Sequence, residues 1–148
     1  MNIISVRGGQ KKQRELVESM VEFCIEKLMP RMQTLDIEVA LDTLEGDYGY
    51  CMSNTDREFF IEVDKSLNLR DLLTTVAHEM VHVKQYARKE LFENTRLQKH
   101  RWQGNYLNKD PEYWDRPWEI EAHGRETGLF VRFCEQRGHA LKKWAHAD

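Results

Sequence analysis

Apolar residues recur at three-to-four spacing over residues 10–29, where Leu16, Val17, Met20, Val21, Cys24 and Leu28 stand among Lys, Arg and Glu. That period gathers them into one stripe of an amphipathic helix, and Pro30 is a natural stop. The pattern then shortens. Residues 36–41, 48–52 and 58–63 are rich in β-branched or aromatic side chains, and Glu45-Gly46-Asp47 and Ser53-Asn54-Thr55-Asp56 separate them with turn chemistry. Three short strands are expected, forming a small sheet that is at least partly antiparallel.

Residues 69–91 carry the strongest helical period in the chain. Leu69, Leu72, Leu73, Val76, Ala77, Met80 and Val83 make one apolar face, with Asn68 and Asp71 placed as an N-cap and its third-position acid. Residues 92–115 hold Trp102, Tyr106, Tyr113 and Trp114 but no sustained period, together with Gly104, Asn105, Asn108 and Pro111. An ordered loop is expected there, with room for a short hairpin or helical turn. Pro117 suits the first position of a last helix over residues 117–136, with Gly138 near its cap. The expected fold is therefore α+β: helix, three-stranded sheet, long helix, irregular segment, helix.

At 148 residues the chain has the size of one ordinary domain, so residues 1–148 are read as a single unit. A net charge of -3 gives no field to gather phosphates, and nucleic-acid binding is not expected. No apolar run approaches the roughly 18 to 20 residues of a membrane span, and the amino terminus lacks the pattern of a secretory signal. Cys24, Cys51 and Cys134 are odd in number, distant and among apolar neighbours, which suits small buried hydrophobes in a reducing, cytoplasmic setting. The sequence leaves the oligomeric state open.

Against this background His78-Glu79-Met80-Val81-His82 stands out. Two imidazoles four residues apart on a helix project from the same face, which is the bite a tetrahedral zinc ion requires. Glu79, rotated by about 100° from His78, reaches a water beside the metal without being a ligand and suits a general base. A pattern of five residues also arises by chance in a chain with six His. Its position inside the most periodic helix, after a strand and behind Leu72, Leu73, Val76 and Ala77, argues for a built site.

A catalytic zinc site has three protein ligands and one open position, so a third donor is needed. Candidates lie in Trp118-Glu119-Ile120-Glu121-Ala122-His123. On a helix Glu119 shares a face with Ala122, His123, Glu126, Phe130 and Phe133, whereas Glu121 lines up with Arg125, Gly128, Arg132 and Glu135. Glu119 is expected to point inward as the third ligand and Glu121 outward, with His100 and His123 as further candidates. The helix N-terminus favours a carboxylate at Glu119, and the bland alternative is that Glu119 merely caps its own helix start. His123, one turn on, is a candidate to orient Glu119.

These residues resemble the zincin metallopeptidases, in particular gluzincin-like members in which a glutamate from a later helix follows the HExxH helix. The later motif there often reads Glu-x-x-Ala-Asp or Glu-x-Glu-Ala-Asn, and Glu119-Ile120-Glu121-Ala122-His123 is similar, with His123 where Asp or Asn is usual. A short chain with a three-stranded sheet before the HExxH helix is also similar to the compact SprT-like and ImmA/IrrE-like peptidases of bacteria and their phages. The likeness spans residues 58–117. It implies a minimal zincin-like fold, bound zinc, a protein or peptide substrate, and substrate pairing along the strand before the metal helix, here Phe59-Phe60-Ile61-Glu62-Val63.

The expected reaction is peptide-bond hydrolysis with His78, His82 and Glu119 holding zinc and Glu79 as the base. Tyr106, Tyr113 and His100 are candidates for the oxyanion partner. Trp102, Tyr106, Tyr113, Trp114 and Trp118 are read either as the lining of a cleft or as the roof of a small core. The alternative to an enzyme is a non-catalytic zincin-like binding module, or a DNA-associated regulatory module using the basic stretch Arg88, Lys89, Arg96, Lys99, His100 and Arg101. Glu79 argues against the first, since a purely structural site has no use for a base beside its ligands.

Overall fold

The computed structural model describes residues 1–146 and has the expected α+β composition. Its elements run β1 (Ile3–Gly8), α1 (Lys11–Leu28), β2 (Asp36–Asp42), β3 (Gly49–Ser53), β4 (Glu58–Asp64), α2 (Leu69–Ala87), β5 (Leu91–Asn94), β6 (Lys99–Trp102), β7 (Asn105–Tyr106) and α3 (Pro117–Arg137). None of the described helices is long and apolar enough to cross a membrane.

The main sheet has four strands in the order β1-β2-β4-β3, not the three expected. The addition is β1, where Ile4 and Val6 alternate with Ser5 and Arg7 and pair in parallel with Ile37 and Val39 of β2. Parallel neighbours need a crossover of a dozen or more residues, and α1 is that crossover. β2 and β4 are also parallel, while β3 returns antiparallel to β4 as the sheet edge. β4 is therefore an interior strand with a neighbour on each side. The peptide-pairing role expected of Phe59-Phe60-Ile61-Glu62-Val63 is ruled out there, because its backbone groups already serve β2 and β3.

Ile37, Val39 and Leu41 with Phe59, Ile61 and Val63 face the helices and are buried, along with Leu72, Leu73, Val76, Ala77 and Met80 of α2. α2 is capped as its sequence suggests, Asn68 Oδ1 accepting from the Asp71 amide at 2.8 Å, but it stops at Ala87, before residue 91. Lys89 follows at φ 60°, and the chain turns back into β5. The segment read as irregular is largely a second sheet, β5-β6-β7, followed by one 3₁₀ turn at Tyr113–Asp115. α3 opens with Pro117 in its first turn and closes on Gly138 at φ 80°, a left-handed cap that glycine adopts without Cβ strain. Phe133 of α3 meets Phe23 of α1 edge to face at 5.8 Å. These contacts set α2 between the sheet on one side and α3 on the other.

Candidate metal centre

His78, Glu79 and His82 lie in the middle of α2, and all three are buried. The two rings have centroids 5.0 Å apart at an interplanar angle of 81°, as one helical turn requires. Glu119, in the first turn of α3, closes the group: its Oε1 is 3.0 Å from His78 Nε2 and 3.2 Å from His82 Nε2. Tetrahedral bonds of about 2.0–2.2 Å set neighbouring donor atoms roughly 3.3 Å apart, and each of these two contacts lies near that value. Among the described residues, the groups whose donor atoms all lie within 4.8 Å of one another and could hold a metal ion are His78 with Glu79 and His82, and His78 with His123 and Glu126; Glu119 is in neither.

Both imidazoles have a partner on their far nitrogen. His82 Nδ1 donates to Gln85 Oε1 at 2.8 Å, and His78 Nδ1 faces Glu126 Oε2 at 3.7 Å. The Gln85 contact fixes a proton on His82 Nδ1, while both Nε2 atoms turn toward the Glu119 carboxylate. Glu126 Oε1 also accepts from His123 Nδ1 at 2.6 Å. His123 Nε2 in turn lies 3.0 Å from the Tyr113 hydroxyl, which donates to Glu119 Oε1 at 3.1 Å. A continuous ring of polar contacts thus runs Glu119, Tyr113, His123, Glu126, His78.

The electrostatics of the group follow from burial set against charge. Burial opposes protonation of His78, but hydrogen bonds to Glu119 and Glu126 with the charges of Glu79 and Glu119 outweigh it and raise its pKa to about 10. His82 is raised by the same balance of burial against Glu119 and Glu79. Burial likewise opposes ionisation of Glu119, yet the two imidazoles hold it well below the usual carboxylate range. Glu79 goes the other way: burial raises its pKa against the pull of both histidines. One carboxylate is thus held ionised, and its neighbour is biased toward taking up a proton.

The cavity beside these groups has a volume of about 280 Å³. Asp47, Gly49, Tyr50 and Cys51 from β3 and its approach form one wall, and Tyr113 and Trp118 contribute to the other. Gly49 matters here because a Cβ at that position would sit 2.8 Å from the Glu62 carbonyl oxygen and 2.9 Å from Thr75 Cγ2. Only glycine lets this edge strand lie so close to α2. Cys24 and Cys134 are buried, but Cys51 is half-buried and lines the cavity, unlike the core hydrophobe expected.

Several expectations change with the geometry. Glu121 does not point outward: its Oε2 pairs with Lys84 Nζ at 2.5 Å and its Oε1 accepts from Gln85 Nε2 at 2.9 Å. A helical wheel of α3 alone cannot register that α2 flanks its first turns on two sides. His123 contacts Tyr113 and Glu126 rather than Glu119. His100 is drawn instead to Asp110 at 2.7 Å and stacks on Trp118 at 5.0 Å. Of the three oxyanion candidates, Tyr113 alone has its hydroxyl on the Glu119 carboxylate. Within the basic stretch Arg88 pairs with Glu90 and Lys89 with Asp56.

Gln85, Glu126 and Lys84 are the contributors that sequence reasoning passed over. Gln85 and Glu126 carried a usable signal, each a polar residue on an otherwise inward face, three residues beyond His82 or His123. No protein-family model matches the chain, and no curated protein or solved structure matches it either.

Proposed function

We propose that this protein is a zinc-dependent peptidase in which His78, His82 and Glu119 hold the metal and Glu79 is the general base. The observation that carries the reading is the approach of Glu119 to within 3.0 and 3.2 Å of both Nε2 atoms, with Glu79 beside them on the same helix. Two imidazoles and one carboxylate form a donor set suited to zinc with one position left open. When bound, the ion supplies Lewis-acid polarisation of a water and of the scissile carbonyl.

The rest of the chemistry belongs to the chain. Glu79 accepts the proton of the attacking water and delivers it to the leaving amine, a task for which a carboxylate of raised pKa is well matched. Tyr113 donates from its hydroxyl to the oxygen that gains negative charge, at which point its contact with Glu119 is exchanged for one with substrate. β3 is the sheet edge that walls the cavity, so an extended peptide gains backbone hydrogen bonds along Gly49–Ser53 by strand addition. The substrate is accordingly an unfolded or extended polypeptide segment.

The test is Glu79→Gln. Expected is a variant that retains stoichiometric zinc by metal analysis and loses hydrolysis of a fluorescently labelled unfolded protein by several orders of magnitude. Undiminished hydrolysis by that variant, or a wild type that never takes up stoichiometric zinc, would refute the reading.

A further inference from the structure

Inside the contact between α2 and α3, where apolar packing would be ordinary, Lys84, Gln85 and Glu121 form a polar cluster. Gln85 has 0% exposure. Its Oε1 accepts from His82 Nδ1 at 2.8 Å, and its Nε2 donates to the Trp118 carbonyl at 2.9 Å and to Glu121 Oε1 at 2.9 Å. Lys84, also buried, lies between Glu121 Oε2 at 2.5 Å and Glu90 Oε1 at 2.8 Å. Arg125 Nε reaches Glu121 Oε2 from the solvent side at 3.1 Å.

Joining two helices in this way is costly in desolvation, and well-packed apolar residues of similar volume often stabilise as much or more. Stability therefore does not account for the cluster. What it provides is direction. A buried carboxamide has two flips, and they are distinguished by the neighbours it meets. Only the flip seen here sends the amide hydrogens to the Trp118 carbonyl and Glu121 and turns the carbonyl oxygen to His82. The reverse flip would set two acceptors against the carbonyl and leave the His82 Nδ1 proton facing a donor. Glu121 thus selects the orientation of Gln85, and Gln85 selects the tautomer of His82. The same contacts tie the first turns of α3 to α2, and Glu119 belongs to those turns.

We propose that Glu121, anchored by Lys84, is a positioning residue for the metal centre. Through the amide of Gln85 it locks the His82 imidazole with its proton on Nδ1, and it keeps Glu119 in register with the histidine pair. This rests on the zinc-centre reading above and assigns it a second carboxylate that never touches the ion.

The experiment compares wild type with Gln85→Leu, Glu121→Leu, Glu121→Gln and Arg137→Ala. The probes are zinc, titrated against a chromophoric chelator, and cobalt(II), whose visible spectrum reports ligand geometry. Thermal unfolding of each metal-free protein is recorded alongside. Losing the outer partner of a ligating histidine weakens metal binding about 10- to 100-fold, and that is expected for Gln85→Leu, with altered cobalt bands. Glu121→Leu removes the acceptor for Gln85 and is expected to weaken zinc about tenfold, by the same reasoning one step further out. Glu121→Gln keeps an oxygen for Gln85 and should restore affinity to near the wild-type value. Arg137→Ala breaks a tie of α3 to Ser19 and Glu26 of α1, far from the site, and should lower the melting temperature without moving zinc affinity.

Wild-type affinity and an unchanged cobalt spectrum in both leucine variants would overturn the proposal. So would a zinc loss in Arg137→Ala equal to theirs, since that would make the effect merely structural. A wild type that binds no stoichiometric zinc, or a His78→Ala variant that binds as tightly as the wild type, would refute the metal centre itself.

Discussion

Replacing Glu119 with Ala removes a carboxylate oxygen that lies 3.0 and 3.2 Å from the two imidazoles. The histidines stay where α2 holds them, so on the proposed zinc reading the change is the loss of one donor of three, the anionic one. A weakening of roughly a hundredfold corresponds to about 2.8 kcal/mol at 1.4 kcal/mol per tenfold. Zinc supplied at about 100 times the wild-type dissociation constant stabilises the folded wild type by about 2.7 kcal/mol. In a chain of 148 residues each kcal/mol moves the melting temperature by roughly 2–4 °C, so zinc should raise it by roughly 5–10 °C. At the same zinc concentration the variant sits near its own dissociation constant, gaining only about 0.4 kcal/mol, a shift of roughly 1 °C. Scanning fluorimetry of the metal-free proteins with and without zinc measures both. A zinc shift in Glu119→Ala equal to that of the wild type would refute the assignment. A greater loss in Glu121→Ala than in Glu119→Ala would transfer the ligand role to the other carboxylate.

Tyr113→Phe keeps the ring and removes the hydroxyl. Turnover is expected to fall roughly 10²- to 10³-fold, as for other oxyanion donors, with zinc affinity nearly constant; unchanged turnover would confine Tyr113 to holding Glu119. A pH effect follows from His78, whose pKa in the folded, metal-free protein is raised to about 10. Its protonation stabilises the fold fully below about pH 6.5, the ordinary histidine value, and the gain is lost as pH climbs toward 10. The metal-free melting temperature should therefore fall across that range, and Glu119→Ala should flatten the decline. An equal decline in both proteins would show that the pair is not its source.

The elements with a strong period were legible in the sequence. α1, α2 and α3 begin where their caps and apolar stripes place them, because Asn68 and Pro117 act locally. The three expected strands exist with nearly the expected bounds. What the pattern could not convey was pairing. β1 has only Ile4 and Val6 alternating with Ser5 and Arg7 before Gly8 and becomes a strand by finding β2 across α1, and β4 lies inside the sheet because β3 folds back outside it. The β5–β6 turn carries Gln98 at positive φ and the β6–β7 turn carries Gln103 beside Gly104, so the first turn bore no glycine mark.

At the site, the pairing of His78 with His82 was a matter of helical geometry, and the inward face of Glu119 followed from the apolar residues that share it. The outer partners were not legible in the same way. Gln85 and Glu126 gain their meaning from contacts across 33 residues to the Trp118 carbonyl and across helices to His78. A one-helix projection contains neither. Glu121 failed for the same reason, being solvent-facing on its own cylinder but enclosed once Lys84 and Gln85 arrive from α2.

α2 is gripped almost all round its circumference, with buried residues running through both histidines and on to Gln85. Such a rod has no slack. Withdrawing the imidazoles would empty the centre of the molecule, so any tuning of the pocket must come from its movable walls: the β3 edge, the hairpin that follows α2, or the approach to α3. Amide exchange should make this visible, with mid-helix protons released only on global unfolding and the surrounding walls opening long before.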